Sequence, residues 1–377
     1  MAAKRYERST FARGWHCLGT VDEFDSDKIH AVEIFGTKLV VYRTAEGKPV
    51  VMTAYCPHLG ADLSLGEIVD DSLECAFHGW RWGPDGQCSG IPYSRRIPKA
   101  AKTRSWTTEI RDGLLYIWHD FGGAEPGDDD LLPSIRSGAS SWSPWNLRST
   151  VVRSRCREIM DNAVDMPHFY YVHYAIPRKF KVILDGKRLE QHFEGVPRDD
   201  IFPERVKSGK PQIIYSESVT SFDGPAVMVG DMLYHFEGFD VHLKAVSFYY
   251  PIDENSFRMI YGTIVQQTDA VSGHMAQSIA DHFADVLTLG FEQDIKIWNT
   301  KQWVESPILC EADGPIYQLR EWYSQFYEAP RRVGIERQTY ELDTNYAYLR
   351  WMDDSRTKSC TDQLHVNDTE KVVRNDE

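Results

Sequence analysis

Cys56-Pro-His58 is followed, after sixteen intervening residues, by Cys75-Ala-Phe-His78. Two soft thiolates and two imidazoles on two short loops suit a [2Fe–2S] cluster with one iron on sulfur and the other on nitrogen. Neutral imidazoles leave such a cluster less negative than four thiolates do, so it takes up an electron more readily. A Cys2His2 set also holds structural zinc. The neighbours favour the cluster: Gly60 and Gly79-Trp80 suit tight ligand loops, and 39–42 and 114–118 read as flanking strands.

A second constellation is Asn162-Ala-Val-Asp165-Met-Pro-His168-Phe-Tyr-Tyr-Val-His173. Asn162, Asp165 and His168, at i, i+3 and i+6, lie near one helical face. His173 is five residues beyond His168, and an undistorted helix turns it roughly 140° away. Both meet one metal only if the helix ends or bulges between them, and Pro167 removes a backbone donor there. Otherwise they are two unrelated histidines in an aromatic helix. Asp294 supplies a third ligand candidate. It sits in an apolar helical stripe with Phe283, Leu287, Phe291 and Trp298. A carboxylate facing a core needs a metal or a cationic partner. His168, His173 and Asp294 together make a two-His, one-carboxylate triad that holds Fe(II) and leaves positions open for O2. Asp165 is expected to fix His168 through its carboxylate and to reach a cluster histidine as an electron path; a plain helix-surface acid is the alternative.

Short strand-like runs punctuated by turn signals fill 11–121, with Asp85-Gly86 and Asp112-Gly113 as hairpin turns. The Gly-, Pro- and Asp-rich stretch 121–130 reads as a linker. Beyond it, 157–171 reads as one helix and 207–212 as a polar loop. Strand patterns run through 215–229 and 233–265, and 271–303 is a long helix. From about 353 the chain is polar and lacks aromatics, which predicts a disordered tail. The expected units are 1–125, 126–352 and the tail 353–377.

A net charge of −14 over 377 residues excludes sequence-independent nucleic-acid binding, because no basic surplus displaces counterions. No apolar run reaches about 18 residues, and no signal peptide is legible, so neither a membrane span nor export is expected. Seven cysteines with no framework spacing suit a reducing, cytoplasmic setting.

Taken together, these motifs resemble the terminal oxygenase subunits of the Rieske non-heme iron oxygenases. Cys56-Pro-His-Leu-Gly-Ala-Asp-Leu-Ser-Leu-Gly, Trp80-Arg-Trp-Gly, Ile91-Pro-Tyr-Ser-Arg-Arg, Cys156-Arg-Glu-Ile-Met-Asp-Asn and Gly290-Phe-Glu-Gln-Asp-Ile-Lys-Ile-Trp look like the oxygenase components of bacterial 3-ketosteroid 9α-hydroxylases. The resemblance implies an α+β fold: a β-rich N-terminal Rieske domain and a C-terminal helix-grip domain, a long helix across an antiparallel sheet. It implies a homotrimer in which the cluster of one subunit serves the iron of its neighbour across Asp165, with His78 facing that carboxylate. It also implies a Rieske [2Fe–2S] cluster, mononuclear Fe(II), O2 as co-substrate, a flavin and iron–sulfur NAD(P)H reductase as partner, and a role in steroid degradation. Asn162 is expected beside the open iron position. The ligand loops carry no extra cysteine of the respiratory kind, so a potential of roughly −150 mV is expected.

By the same resemblance Gln191, Phe222, Met228, Gly230, Ser247, Phe291 and Trp298 line a pocket for a hydrophobic substrate. Here the chain departs from the steroid pattern: Phe222 replaces Tyr, Ser247 replaces Asn, and Gly230 replaces a larger polar residue. Ala76 and Gly79 also depart from it, in the second cluster loop. The same iron chemistry fits demethylation, desaturation or dioxygenation of another apolar ring compound. A pure Rieske electron carrier is the reading from a different class, and it would need no iron triad.

Overall fold

A computed structural model describes residues 10–137, 141–198, 213–269, 271–327 and 336–344. The expected loop at 207–212 and the tail at 353–377 lie outside them. Among the described residues, no helix is long and apolar enough to cross a membrane.

The N-terminal part consists of three small antiparallel sheets. His30–Ile34, Thr37–Arg43, Pro49–Thr53 and Ser105–Trp106 form one; Glu67–Val69, Ser72–Glu74, Arg81–Trp82 and Cys88–Gly90 form another. Apolar residues alternate along these strands, and Val40, Tyr42, Met52, Leu63, Leu73 and Trp82 close a common core between the two sheets. The two Cys–His loops leave the ends of this framework. A third sheet joins Gly14–Thr20, Leu114–His119 and Thr108–Arg111. Asp112-Gly113 turns its hairpin with φ of 55° and 79°, the left-handed pair that a two-residue turn requires.

The C-terminal part is one eight-stranded antiparallel sheet. Its order is Asn146–Val152, Phe257–Val265, Phe239–Pro251, Val227–Phe236, Ile213–Asp223, Arg188–Pro197, Ala175–Asp185 and Gln338–Leu342. A two-residue period gives it two different faces. Val227, Val246, Phe248 and Ile260 pack against Leu115, Ile117 and Cys17 of the three-stranded sheet. Tyr116 meets Phe248 edge-on, with centroids 5.9 Å apart. The other face receives the long helix Gly273–Trp298, whose Ala276, Ala280 and Phe283 pack on Leu243, Ala245 and Val265. A sheet gripping one long helix beside a β-rich Rieske-type unit is the expected α+β architecture.

The linker stretch 121–130 is anchored at its end: Asp130 accepts from Arg13 at 3.2 Å and from Lys187 at 2.5 Å. Elsewhere the structure departs from the sequence pattern. The hairpin of Ala175–Asp185 and Arg188–Pro197 was missed, although Asp185-Gly186 signals its turn. The single helix at 157–171 is instead Cys156–Met160, a 3-10 turn Asp161–Ala163, and Met166–Tyr171. Pro167 accounts for the break, because a helix through it would leave the carbonyl of Ala163 without its donor.

Helix Ile316–Ser324 locks the missed hairpin in place. Trp322 is 1% exposed, and its indole N–H donates to the Gly186 carbonyl at 2.9 Å. Trp322→Ala should lower stability by about 3–5 kcal/mol. A thermal unfolding midpoint equal to that of the parent would refute that role.

Candidate metal centres and active site

The two N-terminal ligand loops are built alike. In the first, the Gly60 N–H donates to the Cys56 carbonyl; in the second, the Gly79 N–H donates to the Cys75 carbonyl; both bonds are 2.8 Å. Gly60 and Gly79 have φ of +77° and +67°, which a side chain disfavours. Each turn buries its cysteine and sends its histidine toward the other loop. Cys56 and Cys75 are 2% and 3% exposed. The His58 and His78 rings lie 4.8 Å apart at 77°. Trp80 stacks on His58 at 4.5 Å and anchors its own indole N–H on Tyr93 Oη at 2.7 Å.

The donor set fits a two-iron cluster. Thiols pair with thiols and imidazoles with imidazoles. His78 Nδ1 is buried with no hydrogen-bond partner among the described residues, as a nitrogen facing iron would be. One zinc ion would need all four donor atoms close round one point. Among the described residues, only His168, His173 and Asp294 bring three donor atoms within 4.8 Å of one another.

That second site is assembled by the broken helix. Gln191 Nε2 donates to the Ala163 carbonyl at 2.8 Å, replacing the donor that Pro167 cannot provide. The Asp165 carboxylate caps the next helix by accepting the His168 backbone N–H at 3.3 Å. The helix then ends at Tyr171. The His168 carbonyl accepts from Val172 at 2.7 Å and from His173 at 3.4 Å, an i+5 closure that swings His173 back toward His168. The two rings lie 5.0 Å apart at 78°.

His168 Nδ1 bonds the backbone carbonyl of Asp165, not its carboxylate. This corrects the expected carboxylate–imidazole contact: the carboxylate is already committed to the helix end. The tautomer is fixed all the same, because Nδ1 carries the proton and Nε2 is left as the lone-pair donor. Burial lowers the His168 pKa to about 4, and neighbouring His173 adds to this, so the ring is neutral at physiological pH. Burial raises the Asp165 carboxyl to about 6; the His168 N–H opposes this, and the Asp313 and Asp161 charges reinforce it.

Asp294, 5% exposed, arrives from the long helix. Its Oδ2 lies 3.3 Å from His173 Nε2, and its Oδ1 accepts from Asn162 Nδ2 at 3.2 Å. Asn162 therefore occupies one carboxylate oxygen and leaves the other to the histidines. Among the described residues, no Arg or Lys pairs with Asp294.

The remaining candidates fall on the helix-facing side of the sheet. Phe222, Met228 and Ser247 stand in one cross-strand row, and Gln191 and Gly230 in the next. Phe222 and Trp298 share one core, with Met228 and Phe291 packed against it. Phe291 meets Tyr261 at 5.0 Å. Trp298 also borders an open groove of ≈ 410 Å³ that reaches Asn162, Asp165, His168 and Asp294. The Ser247 hydroxyl is buried without a partner among the described residues. The room beside Gly230 is partly taken by Met232, whose methyl lies 3.0 Å from where a Cβ would stand. Gln191 serves the Ala163 turn, a positioning contact its sequence neighbours do not signal.

Comparison with known proteins agrees with this geometry. Residues 14–101 match the Rieske [2Fe-2S] domain, and 117–327 match the 3-Ketosteroid 9alpha-hydroxylase C-terminal domain. The chain belongs to this family of Rieske oxygenases. It is 44% identical over 346 residues to a 3-ketosteroid-9-alpha-monooxygenase oxygenase component of Rhodococcus rhodochrous, covering 91% of this chain and 87% of the relative. The corresponding component of Mycobacterium tuberculosis is 38% identical over 346 residues, covering 90% and 89%. Apo dicamba monooxygenase shares the fold, with a TM-score of 0.61 at 19% identity over 84% of this chain and 98% of that one. The family's cofactors are a Rieske [2Fe–2S] cluster and a mononuclear iron, and the pure electron-carrier reading falls away.

Asp294→Ala should abolish binding of the mononuclear iron and all turnover while leaving the cluster spectrum unchanged. Metal analysis alongside visible absorption checks this, and full coupled activity would move the third ligand elsewhere.

Proposed function

We propose that this chain is the terminal oxygenase component of a two-component monooxygenase that hydroxylates a 3-ketosteroid at C9. The supporting observation is the convergence of His168, His173 and Asp294 beside an apolar sheet face, in a chain this similar to 3-ketosteroid monooxygenase components. In this reading Cys56, His58, Cys75 and His78 hold the cluster, and His168, His173 and Asp294 hold Fe(II). Residues 1–125 form the electron-accepting unit and 126–352 the catalytic one. When bound, the two groups supply stepwise electron transfer and O2 activation.

The chain's own residues hold and orient. Asn162 donates to Oδ1 of Asp294 and so would leave Oδ2 to hold the metal with the two histidines. Asp165, which lines the open groove beside His168, carries the contact to a neighbour's His78 in a homotrimer. Phe222, Met228, Phe291 and Trp298 exclude water and hold a neutral fused-ring ketone by shape, with Ser247 as a sparse polar contact. Neither an Arg nor a Lys stands among these pocket residues, and the Lys301 and Arg320 that line the groove are paired with Asp161, so a carboxylate substrate lacks its clamp.

Overall, one substrate C–H becomes C–OH and the second oxygen atom leaves as water, consuming two electrons from NAD(P)H and two protons. The sequence has no Gly-x-Gly-x-x-Gly fingerprint, so a flavin and iron–sulfur reductase delivers the electrons. A cytoplasmic place in steroid breakdown follows from this reading.

The test is a panel of 3-ketosteroids with short and long side chains, assayed for NADH-coupled O2 uptake with a reductase and for product by mass spectrometry. A 9-hydroxylated product is expected. Turnover of a small aromatic acid with none of any steroid would overturn the substrate. Asp165→Asn should keep both metals and bind substrate, yet slow oxidation of the cluster in a single turnover. Oxidation at the parental rate would remove Asp165 from the electron path.

A further inference from the structure

We propose that Arg320 is a positioning residue for the iron site: it ties the Asp161–Ala163 turn to the chain leaving the Asp294 helix, and so keeps the Asn162 amide on Asp294 Oδ1. The inference rests on the reading of His168, His173 and Asp294 as the iron ligands.

The turn Asp161–Ala163 is three residues long, and each residue is held from outside it. Gln191 serves the Ala163 carbonyl, and Asn162 reaches Asp294. Asp161 is taken by Arg320. The guanidinium donates from Nε to Oδ1 at 3.0 Å and from Nη2 to Oδ2 at 2.7 Å. Such a two-point fork fixes the orientation of the carboxylate as well as its distance. Both side chains are largely buried, at 17% and 15% exposure, so solvent screens the pair little. Lys301 also faces Asp161, at 3.5 Å, but its shorter bond, 3.1 Å, goes to the Glu158 carbonyl.

Arg320 does more than neutralise Asp161. Its Nη1 donates to the Val304 carbonyl at 2.7 Å. Its guanidinium carbon lies 4.0 Å from the centre of the Trp303 ring, and that of Arg157, from the helix before the turn, lies 4.1 Å from the same ring. Trp303 and Val304 belong to the chain that follows Trp298, where the Asp294 helix ends. The helix carrying Arg320, Ile316–Ser324, is itself seated by buried Leu319, Trp322 and Tyr323. One guanidinium thus joins the segment that bears Asn162 to the segment that bears Asp294. The 3.2 Å Asn162–Asp294 bond spans those two segments, so a slip of either releases it. Asp294 would then turn freely, and the oxygen facing His173 would no longer be set.

Arg320→Lys keeps the charge and replaces the planar fork by a point donor. The variant should retain the iron and sulfide of its cluster. Its mononuclear site, stripped by chelation and titrated with Fe(II) in anaerobic equilibrium dialysis, should bind about 10–100-fold more weakly. In an Asn162→Ala background the same substitution should weaken Fe(II) no further, because the amide through which Arg320 acts is gone. Effects that multiply, or a lowered unfolding temperature with parental Fe(II) affinity, would mark a purely structural ion pair and overturn the inference. If Arg320→Lys does not fold, Asp161→Asn loosens the other end of the fork and is read in the same cycle with Asn162→Ala. Weaker Fe(II) binding that does not add supports the inference, and parental binding overturns it. A parental protein that holds its cluster but binds no Fe(II) would overturn the ligand reading as well, so the two failures are distinguishable.

Discussion

A regular helix through 162–173 would point His168 and His173 about 140° apart. The iron site therefore depends on the backbone not continuing as one helix. Pro167 cannot donate to the Ala163 carbonyl, Gln191 crosses from the sheet to do so, and Asp165 caps the new start. Two residues beyond the last helical one, His173 is drawn back by an i+5 bond. The segment is held from outside as well: a Cβ at Gly314 would stand 1.7 Å from the Val164 carbonyl, so only glycine allows that close approach beside Asp165.

Asp294 imposes the complementary constraint. A nearly buried carboxylate on a helix packed against a sheet is expensive unless something answers its charge. Asn162 answers one oxygen and His173 faces the other, an arrangement that a bound cation completes. Because Asp294 belongs to the long helix, the same packing that seals Phe283 and Trp298 against the sheet also sets the distance between the carboxylate and the histidines. Core stability and metal geometry are one problem in this unit.

The cluster unit solves a different problem. Two glycine-closed loops present paired thiols inward and paired imidazoles outward, and Trp80 stacks on the His58 ring. The three-stranded sheet that completes this unit buries Leu115 and Ile117 against the far face of the catalytic sheet. The eight-stranded sheet thus carries the cluster unit on one side and the iron helix on the other.

Residue type and spacing alone carried the chemical reading: Cys56, His58, Cys75 and His78 pair thiols with imidazoles within the stretch that matches the Rieske domain, and Asp294 stands out because its neighbours at helical spacing are apolar. Strands at 39–42 and 114–118, the Asp112-Gly113 turn and the long helix were legible for the same reason, since local pattern and glycine placement are written in adjacent residues. Tertiary structure alone decided the rest. That Gln191 serves the Ala163 carbonyl, and that the Asp165 carboxylate caps a helix while its backbone carbonyl orients His168, are a contact between segments distant in sequence and a choice between the oxygens of one residue. No periodicity encodes them, because each is settled by which donor first reaches an acceptor once the sheet and helices have packed.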